Sequence, residues 1–392
     1  MMKDRKISVL HLRDSPWVDG PGRTILETGA RIDSVKYKYS IGAFCKRGEQ
    51  DHPFINAGKD LKLNVIRLEE SHGLDATVLF HVMRLIDRES IDIIHTHEVR
   101  SDVIGLLAGK LSGVPVMTTL HGWIENSLKD RLFTRLDKRV LRFFDHVIVV
   151  SEKIKSQALD CGVRQDKVTV LHNALALENY SRNKEDRTFR REIGVADQTI
   201  LVGNIGRLSP EKGQADFIRA ARTVLERHQD ARFLLVGTGD DKPRLEELVQ
   251  RIGLNGKVMF LGYRQDMAQI YNGLDLVVQS SFTEGMPNVV LEALAMEVPV
   301  IATNVGGTAE AIIHNETGVL VQSGKPEEIA GVVLKYVHKK SEFMRMVERG
   351  KIYVSTKFCI NERTRKLSKL YDFVYSAREK RRRQFASDLS HE

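Results

Sequence analysis

The sequence predicts a doubly wound α/β protein made of two parallel-sheet domains, and three features predict it. Short β-branched or aliphatic runs recur along almost the whole chain: Ile91–His95, Val114–Leu120, Val147–Val150, Val168–Leu171, Ile200–Gly203, Phe233–Gly237, Leu276–Gln279 and Val298–Thr303. Runs of this length between turn residues fit strands buried on both faces, the usual condition of a parallel sheet. Stretches of helical period lie between them, such as Phe217, Ala220, Ala221, Val224 and Leu225, then Leu245, Leu248, Val249 and Ile252. Strand and helix in alternation give the doubly wound class. The third feature is a single break: residues 174–198 are polar, charged and carry no strand pattern, and fresh alternation starts at Thr199.

In chain order, Ile7–Leu10 reads as the first buried strand, its apolar stretch being too short for a signal peptide. The break separates an N-terminal domain, 1–175, from a C-terminal domain, 176–360, each large enough for a core of its own. Past Phe358 the strands stop. Glu362–Phe385 reads as one basic helix with Leu367, Leu370, Phe373 and Val374 on its apolar side, so 361–392 form a helix and tail. The chain has 392 residues, 42% hydrophobic and 29% charged, which excludes a disordered or fibrous protein. No apolar run approaches the ~18 residues of a membrane span. Cys45, Cys161 and Cys359 are odd in number and far apart, so they offer neither a disulfide framework nor a metal knuckle, and a cytoplasmic location is expected. Lys and Arg number 60 against 52 Asp and Glu, a net +8. The basic residues lack interleaved aromatics, and no nucleic-acid partner is expected.

Chemistry concentrates in the C-terminal half. FTEGMPNVVLEALAMEVPVIATNVGGTAEAI, residues 282–312, follows the strand ending at Gln279 and holds Glu284 and Glu292 with seven residues between them. Pro287 suits the first turn of a helix, whose free N–H groups then point at the preceding loop. That helix is nearly all apolar, and a carboxylate on it, Glu292, needs hydrogen-bonding partners; a ribose diol is one, solvent is the other. Glu284 beside Gly285 reads equally as a loop charge. In ILVGNIGRLSPEKGQADFI, residues 200–218, Ser209 and Pro210 read as a helix start with Arg207 and Lys212 beside it. Two cations at a helix N-terminus suit a diphosphate. FLLVGTGD ends a strand in Gly237 and Gly239 but lacks the third glycine of a dinucleotide fingerprint, and no GxxxxGK[ST] occurs.

In the N-terminal half, WVDGPGRTILETG places Gly20 and Gly22 after the first strand, where a doubly wound sheet holds phosphates; Arg23 either helps or is a surface charge. TLHGW puts His121 just past Val114–Leu120, at the edge where such sheets place ligands. His95 and His97 alternate on a strand, but no third ligand sits at a usual metal spacing, so no metal is expected.

Together these segments resemble the retaining family 4 glycosyltransferases of the GT-B fold. The resemblance rests on Gly20–Arg23, DIIHTHE, TTLHG, HVIVVSEKIK, KVTVLHN, GNIGRLSPEKG, LLVGTGD, FLGYRQDM and the 282–312 segment, in the family's order over residues 5–320. It implies two Rossmann-like domains facing across a cleft, with the C-terminal helix returning to the N-terminal domain. It also implies a sugar moved from a nucleoside-diphosphate donor on the C-terminal side to a glycan or lipid-linked acceptor on the N-terminal side, as in polysaccharide or cell-envelope biosynthesis. By the resemblance, Arg207 and Lys212 would hold the diphosphate, Glu292 the ribose and Glu284 the transferred sugar. His121 would sit at the sugar. Backbone N–H groups of Met286, Pro287's neighbour Asn288 and Val289 would lie near phosphate and sugar, Gly237 would line the donor site, and the backbone at Tyr263 and Arg264 would meet the base. One departure stands out. Aligning Leu26–Glu27 with the family's Leu-Glu puts Asp19 on the first of two paired glycines and Gly20 on the second, and an acceptor-side role for Arg23 stays open.

No Asp-x-Asp pair occurs in the chain, so fixed cations and a helix end, rather than a metal, are expected to neutralise the leaving diphosphate. A sugar phosphorylase, a nucleotide-sugar epimerase or a silent nucleotide-sugar binder would reuse the same residues. Arg131, Arg135, Lys138 and Arg142 form one helical stripe beside Leu132, Leu136, Val140 and Phe143, and a second basic cluster runs Arg378, Lys380, Arg381, Arg382 and Arg383. Segments 128–144 and 376–385 could thus lie on an anionic membrane surface, or could be solvated faces packed by their apolar side.

Overall fold

A computed structural model of the chain describes residues 5–72, 75–123, 126–183 and 185–389. Residues 1–4 and 390–392, parts of the expected first domain and tail, lie outside the described residues. The chain forms two compact units: Met1–Asn173 together with Ile360–Glu392, and Ala174–Cys359.

The first unit is built on seven parallel strands: β1 (Ile7–Arg13), β2 (Tyr37–Lys46), β3 (Asn64–Glu70), β4 (Ile93–Thr96), β5 (Val116–Leu120), β6 (His146–Val149) and β7 (Val168–Val170). Their order is β3-β2-β1-β4-β5-β6-β7, so the winding reverses between β1 and β4. β1 is buried along its whole length, with His11 opposite Ile41 on one side and His95 on the other. β2 and β3 are not among the expected runs. β2 hides its apolar residues among Tyr, Lys, Ser and Gly, and β3, at the sheet edge, is half polar (NVIRLEE).

The core joins Val9, Ile41, Phe54, Ile93, Met117 and Ile148 to Leu367, Tyr371 and Val374 of the helix Ile360–Leu389. That helix is held to the sheet at several points. Asp372 accepts from Tyr37 Oη at 2.6 Å and pairs with Lys36 at 2.6 Å, and Arg378 pairs with Asp92 at 3.3 Å. Arg378 is therefore buried against the amino edge of the sheet instead of facing outward with Arg381 and Arg382, which corrects its place in the expected basic surface.

The helix Leu128–Val140 also departs from expectation. It starts at a capping box in which Ser127 and Asp130 each accept the other's backbone N–H at 3.0 Å. Its inward residues are Thr134 and Asp137, not the leucines. Asp137 takes the Trp123 indole N–H at 2.8 Å and shares a hydrogen bond with Asp102, whose carboxyl is raised well above its ordinary range by burial and by Asp137. The apolar stripe faces out: Leu128, Leu132, Leu136 and Phe143 are 83, 67, 40 and 56% exposed, beside exposed Arg131, Arg135 and Arg142.

The second unit holds six parallel strands, β8 (Ile200–Ile205), β9 (Ala231–Val236), β10 (Val258–Gly262), β11 (Leu276–Gln279), β12 (Val300–Thr303) and β13 (Val319–Val321). Their order is β10-β9-β8-β11-β12-β13, reversing between β8 and β11. Its core gathers Val202, Phe217, Phe233, Leu276, Val278, Ile301, Tyr336 and Phe343. Residues 174–198 contain no strand among the described residues, yet they are not a loose spacer. Arg190, on the short helix Thr188–Glu192, is buried, donates to the carbonyls of Gly273 and Thr199 at 2.9 Å, and pairs with Asp275. Among the described residues no helix is long and apolar enough to cross a membrane.

Because Leu367 is almost fully buried in the first unit's core, Leu367→Ala should remove transfer energy and leave a cavity, costing about 2–5 kcal/mol. Urea titration should show an earlier unfolding transition, and an unchanged midpoint would contradict this packing.

Candidate active site

In doubly wound sheets, ligands bind beyond the carboxyl ends of the strands where the winding reverses, because the loops there part to opposite faces. In the second unit that position lies between β8 and β11, and the expected residues sit on it. After β8 come Gly206, Arg207, Leu208 and Ser209, then one tight turn, Pro210–Lys212, and only then the helix Gln214–Arg227. Ser209 and Pro210 therefore do open a helical turn, but it is a single one, and the following helix starts at Gln214. Arg207 donates to Glu211 at 2.7 Å; Glu211 is buried and also accepts from Ser209 Oγ at 2.7 Å.

Glu284, on the loop after β11, meets Lys212 directly. Its Oε1 accepts from Lys212 Nζ at 2.8 Å, from Ser281 Oγ at 2.6 Å and from Gln279 Nε2 at 3.2 Å. Gln279 is itself clamped, since its Oε1 accepts from Thr303 N at 3.2 Å on the neighbouring strand. Glu292 is buried in the helix Asn288–Ala295, accepting from Tyr271 Oη at 2.9 Å and Tyr180 Oη at 3.2 Å. Two tyrosine hydroxyls thus provide the hydrogen bonds that a buried carboxylate requires. Pro287 is the residue before the first helical turn, not within it, and the Oδ1 of Asn288 is buried without a partner among the described residues. Met286 is buried and Val289 half-buried.

The loops carrying these groups touch backbone to backbone, which only glycine allows. Gly237, after β9, has φ +138° and lies against the Gly206 carbonyl, and Gly306 has φ +54° and lies against the carbonyl of Glu284; a Cβ at either would overlap those oxygens. Gly237 has this packing duty irrespective of any ligand. Past β10, Tyr263 is partly exposed, while the Arg264 guanidinium is committed to Asp266 and Glu192 at 2.5–3.1 Å. Sequence reasoning missed Glu211, Gln279, Ser281, Tyr180 and Tyr271. Glu211 lies inside the motif that was read for its cations, and Tyr180 lies in the stretch read as a break.

In the first unit the reversal lies between β1 and β4. Arg13 ends β1, is buried, and is gripped by Asp19 at 2.7 Å and by Glu98, which follows β4. Burial pushes the Glu98 carboxyl up to about 7 against the opposing pull of Arg13. Asp19 also caps the helix Gly20–Arg31, accepting the Gly22 N–H at 2.9 Å. In this turn the Gly22 N–H is taken by a carboxylate of the chain, and Gly20 is the first helical residue.

His121 follows β5 and lies 6.0 Å, ring to ring, from His97, which follows β4. His11, His95 and His97 form a buried group whose candidate ligand nitrogens lie within 4.8 Å of one another. The third histidine that spacing failed to find comes from β1, placed opposite His95 by strand register. His11 donates to or accepts from His97 and Tyr371 at 2.8 Å, and His95 from Tyr371 at 2.9 Å and Thr119 at 2.7 Å. Both nitrogens of His11 and of His95 are thus engaged in hydrogen bonds, and the buried Arg363 guanidinium lines the same small cavity, so a cation there would meet a positive neighbour. Burial lowers all four imidazoles, holding His11 and His121 at about 3.

Two family models match the chain, one to each half: "Glycosyltransferase Family 4" over residues 18–179 and "Glycosyl transferases group 1" over residues 185–353. An uncharacterized glycosyltransferase of Methanocaldococcus jannaschii is 30% identical over 62% of this chain and 65% of its own length. The UDP-Gal:alpha-D-GlcNAc-diphosphoundecaprenol alpha-1,3-galactosyltransferase of Escherichia coli is 26% identical over 86% of this chain and 89% of its own. Anabaena HepE, solved with UDP-glucose, superposes with a TM-score of 0.83 at 22% identity, covering 93% of this chain and 99% of that one, a likeness of fold. With both halves matched in order and two reversing parallel sheets beneath them, the chain belongs to the group 1, family 4 glycosyltransferases of the GT-B fold.

Proposed function

We propose that the protein transfers a sugar, with retention of anomeric configuration and without a metal, from a nucleoside-diphosphate sugar to a hydroxyl of a glycan or lipid-linked saccharide. One observation carries the reading: at the reversal point of the second sheet, Lys212 and Glu284 are in contact on loops that also present Arg207. Breaking a sugar–phosphate bond loads negative charge onto the diphosphate, and preorganised cations stabilise that charge as it develops. Arg207 and Lys212 suit this task, each held in place by a carboxylate that a diphosphate would partly relieve. Glu284, anchored through one oxygen, leaves Oε2 for a sugar hydroxyl, and Glu292 with its tyrosines suits a ribose diol. Support for the donor and acceptor classes comes from the names of relatives: UDP-Gal and a diphosphoundecaprenol-linked acceptor in the E. coli protein, UDP-glucose in HepE. Retention follows front-face attack, with the leaving phosphate helping to take the acceptor's proton.

The donor reading is tested by melting curves with UDP, GDP, ADP, TDP and CMP in EDTA. One diphosphate at 100 times its dissociation constant should stabilise by about 2.7 kcal/mol. Absence of any shift, or a shift only with Mg²⁺, would remove the metal-free site. The role split predicts that Glu284→Gln lowers transfer ~10²–10³-fold while nucleotide affinity stays within about threefold, and that Arg207→Ala damages both. Calorimetry with steady-state rates separates them, and equal losses of nucleotide affinity would contradict the assignment.

The outward leucines of Leu128–Val140 favour a surface that docks on an anionic bilayer, with Arg131, Arg135 and Arg142 beside them. The triple variant Leu132→Ser, Leu136→Ser, Phe143→Ser should fold normally yet lose cosedimentation with phosphatidylserine vesicles. Equal pelleting of wild type and variant would remove the membrane surface from the reading.

A further inference from the structure

Five side chains in the first unit form an unbroken hydrogen-bonded line. Thr119 Oγ1 meets His95 Nε2 at 2.7 Å, and His95 Nδ1 meets Tyr371 Oη at 2.9 Å. The same hydroxyl meets His11 Nε2 at 2.8 Å, and His11 Nδ1 meets His97 Nε2 at 2.8 Å. They come from β5, β4, the C-terminal helix and β1, and the line ends just past β4. A neutral imidazole has one donor and one acceptor nitrogen, and a phenol hydroxyl gives one hydrogen bond while accepting another. Two senses therefore satisfy every member of the line. Either every member donates toward Thr119 and His97 Nδ1 is a bare acceptor, or every member donates toward His97 and its Nδ1 is a donor.

The line keeps this all-or-none character while its imidazoles stay neutral. Burial holds them so, assisted by the Arg363 guanidinium on the C-terminal helix, which faces the group, and by Arg13 near His97 and His121. Arg363 is itself buried, donating to His172 O at 3.1 Å and Thr28 Oγ1 at 3.3 Å. At the open end, two buried nitrogens have no partner among the described residues: His97 Nδ1 and His121 Nε2. They belong to adjacent strand ends on the carboxyl edge, and both residues line a cavity of about 10 Å³, the room of one water-sized group.

We infer that His97, paired with His121, seats one hydroxyl group of a ligand of the first unit, and that Tyr371 on the C-terminal helix sets from a distance whether His97 gives or takes that hydrogen bond. The inference rests on the proposed function in one respect, that the ligand is a hydroxyl-bearing acceptor. Tyr371 acts through His11 and is a positioning residue. Within the line, Tyr371 is the only member that is neither imidazole nor terminal, so its loss cuts the line in two while nearly preserving volume.

The test is long-range ¹H–¹⁵N imidazole spectroscopy of the full chain, with His97 assigned by His97→Gln, alongside acceptor kinetics and the nucleotide melting shift. Wild type should show one His97 tautomer. Tyr371→Phe should move the tautomer ratio and lower kcat/KM for the acceptor about tenfold, with the nucleotide shift intact. Thr119→Val, which also leaves His97 untouched, should move the ratio in the same assay and serves if Tyr371→Phe folds poorly. A His97 ratio identical to wild type in both variants overturns the inference, as does a moved ratio with unchanged acceptor kinetics. Loss of the nucleotide shift in wild type would strike the donor reading instead, and the tautomer ratios would still decide this one.

Discussion

A parallel sheet sends every strand end of one sense to the same edge, and a strand order that reverses leaves one place on that edge where neighbouring loops diverge. Both units obey this constraint, between β1 and β4 and between β8 and β11, and the chemistry-bearing side chains gather at those places. Arg13 and Glu98 extend from the strands flanking the first reversal; Lys212 and Glu284 extend from those flanking the second. Residues 72 positions apart in the chain thereby come within 2.8 Å. Everything else at the second site supports that meeting: Gln279 clamped to β12, and glycines at 237 and 306 letting loop backbones touch.

The two edges differ in charge design. In the second unit, two cations stand over carboxylates that are buried or nearly so, and the positive side chains are the more exposed members of each pair. In the first unit the arrangement is inverted: the cation Arg13 is buried, and carboxylates surround it. A helix N-terminus attracts an anion, and in the Gly20–Arg31 helix Asp19 already supplies one. The same kind of fold element that can hold phosphate is here capped from within the chain.

Much of this was legible in the sequence. Strands buried on both faces announce themselves as short aliphatic runs, and nine were placed from pattern alone, together with the long C-terminal helix. β2, β3, β10 and β13 were not, because edge position or interleaved Lys, Arg and Gly dilutes the apolar signal. Glu284, Glu292, Arg207 and Lys212 were readable from motif spacing. Their partners were not, since Tyr180, Tyr271 and Gln279 reach the site through tertiary placement and not through local pattern. Helical periodicity found the stripe on Leu128–Val140 but could not tell which side faces inward. In the structure Asp137 takes the inner face, bonded to Trp123 and Asp102, and the leucines are left exposed.

The histidines show the same limit more sharply. Spacing along the chain exposed His95 and His97 and nothing else, while strand register added His11 and the final helix added Tyr371. Each imidazole alone would be an ordinary buried side chain with its partner nearby. Linked through one phenol, they become a single element with two fully satisfied states, because reversing any one hydrogen bond alone would leave a buried donor or acceptor without its complement. That element exists only when the helix Ile360–Leu389 is seated on the first sheet, since Tyr371 lies at its center and Leu367 and Val374 fix its depth. The end of the chain thus contributes to the ligand edge of the unit that the start of the chain builds, through hydrogen-bond polarity and without moving charge.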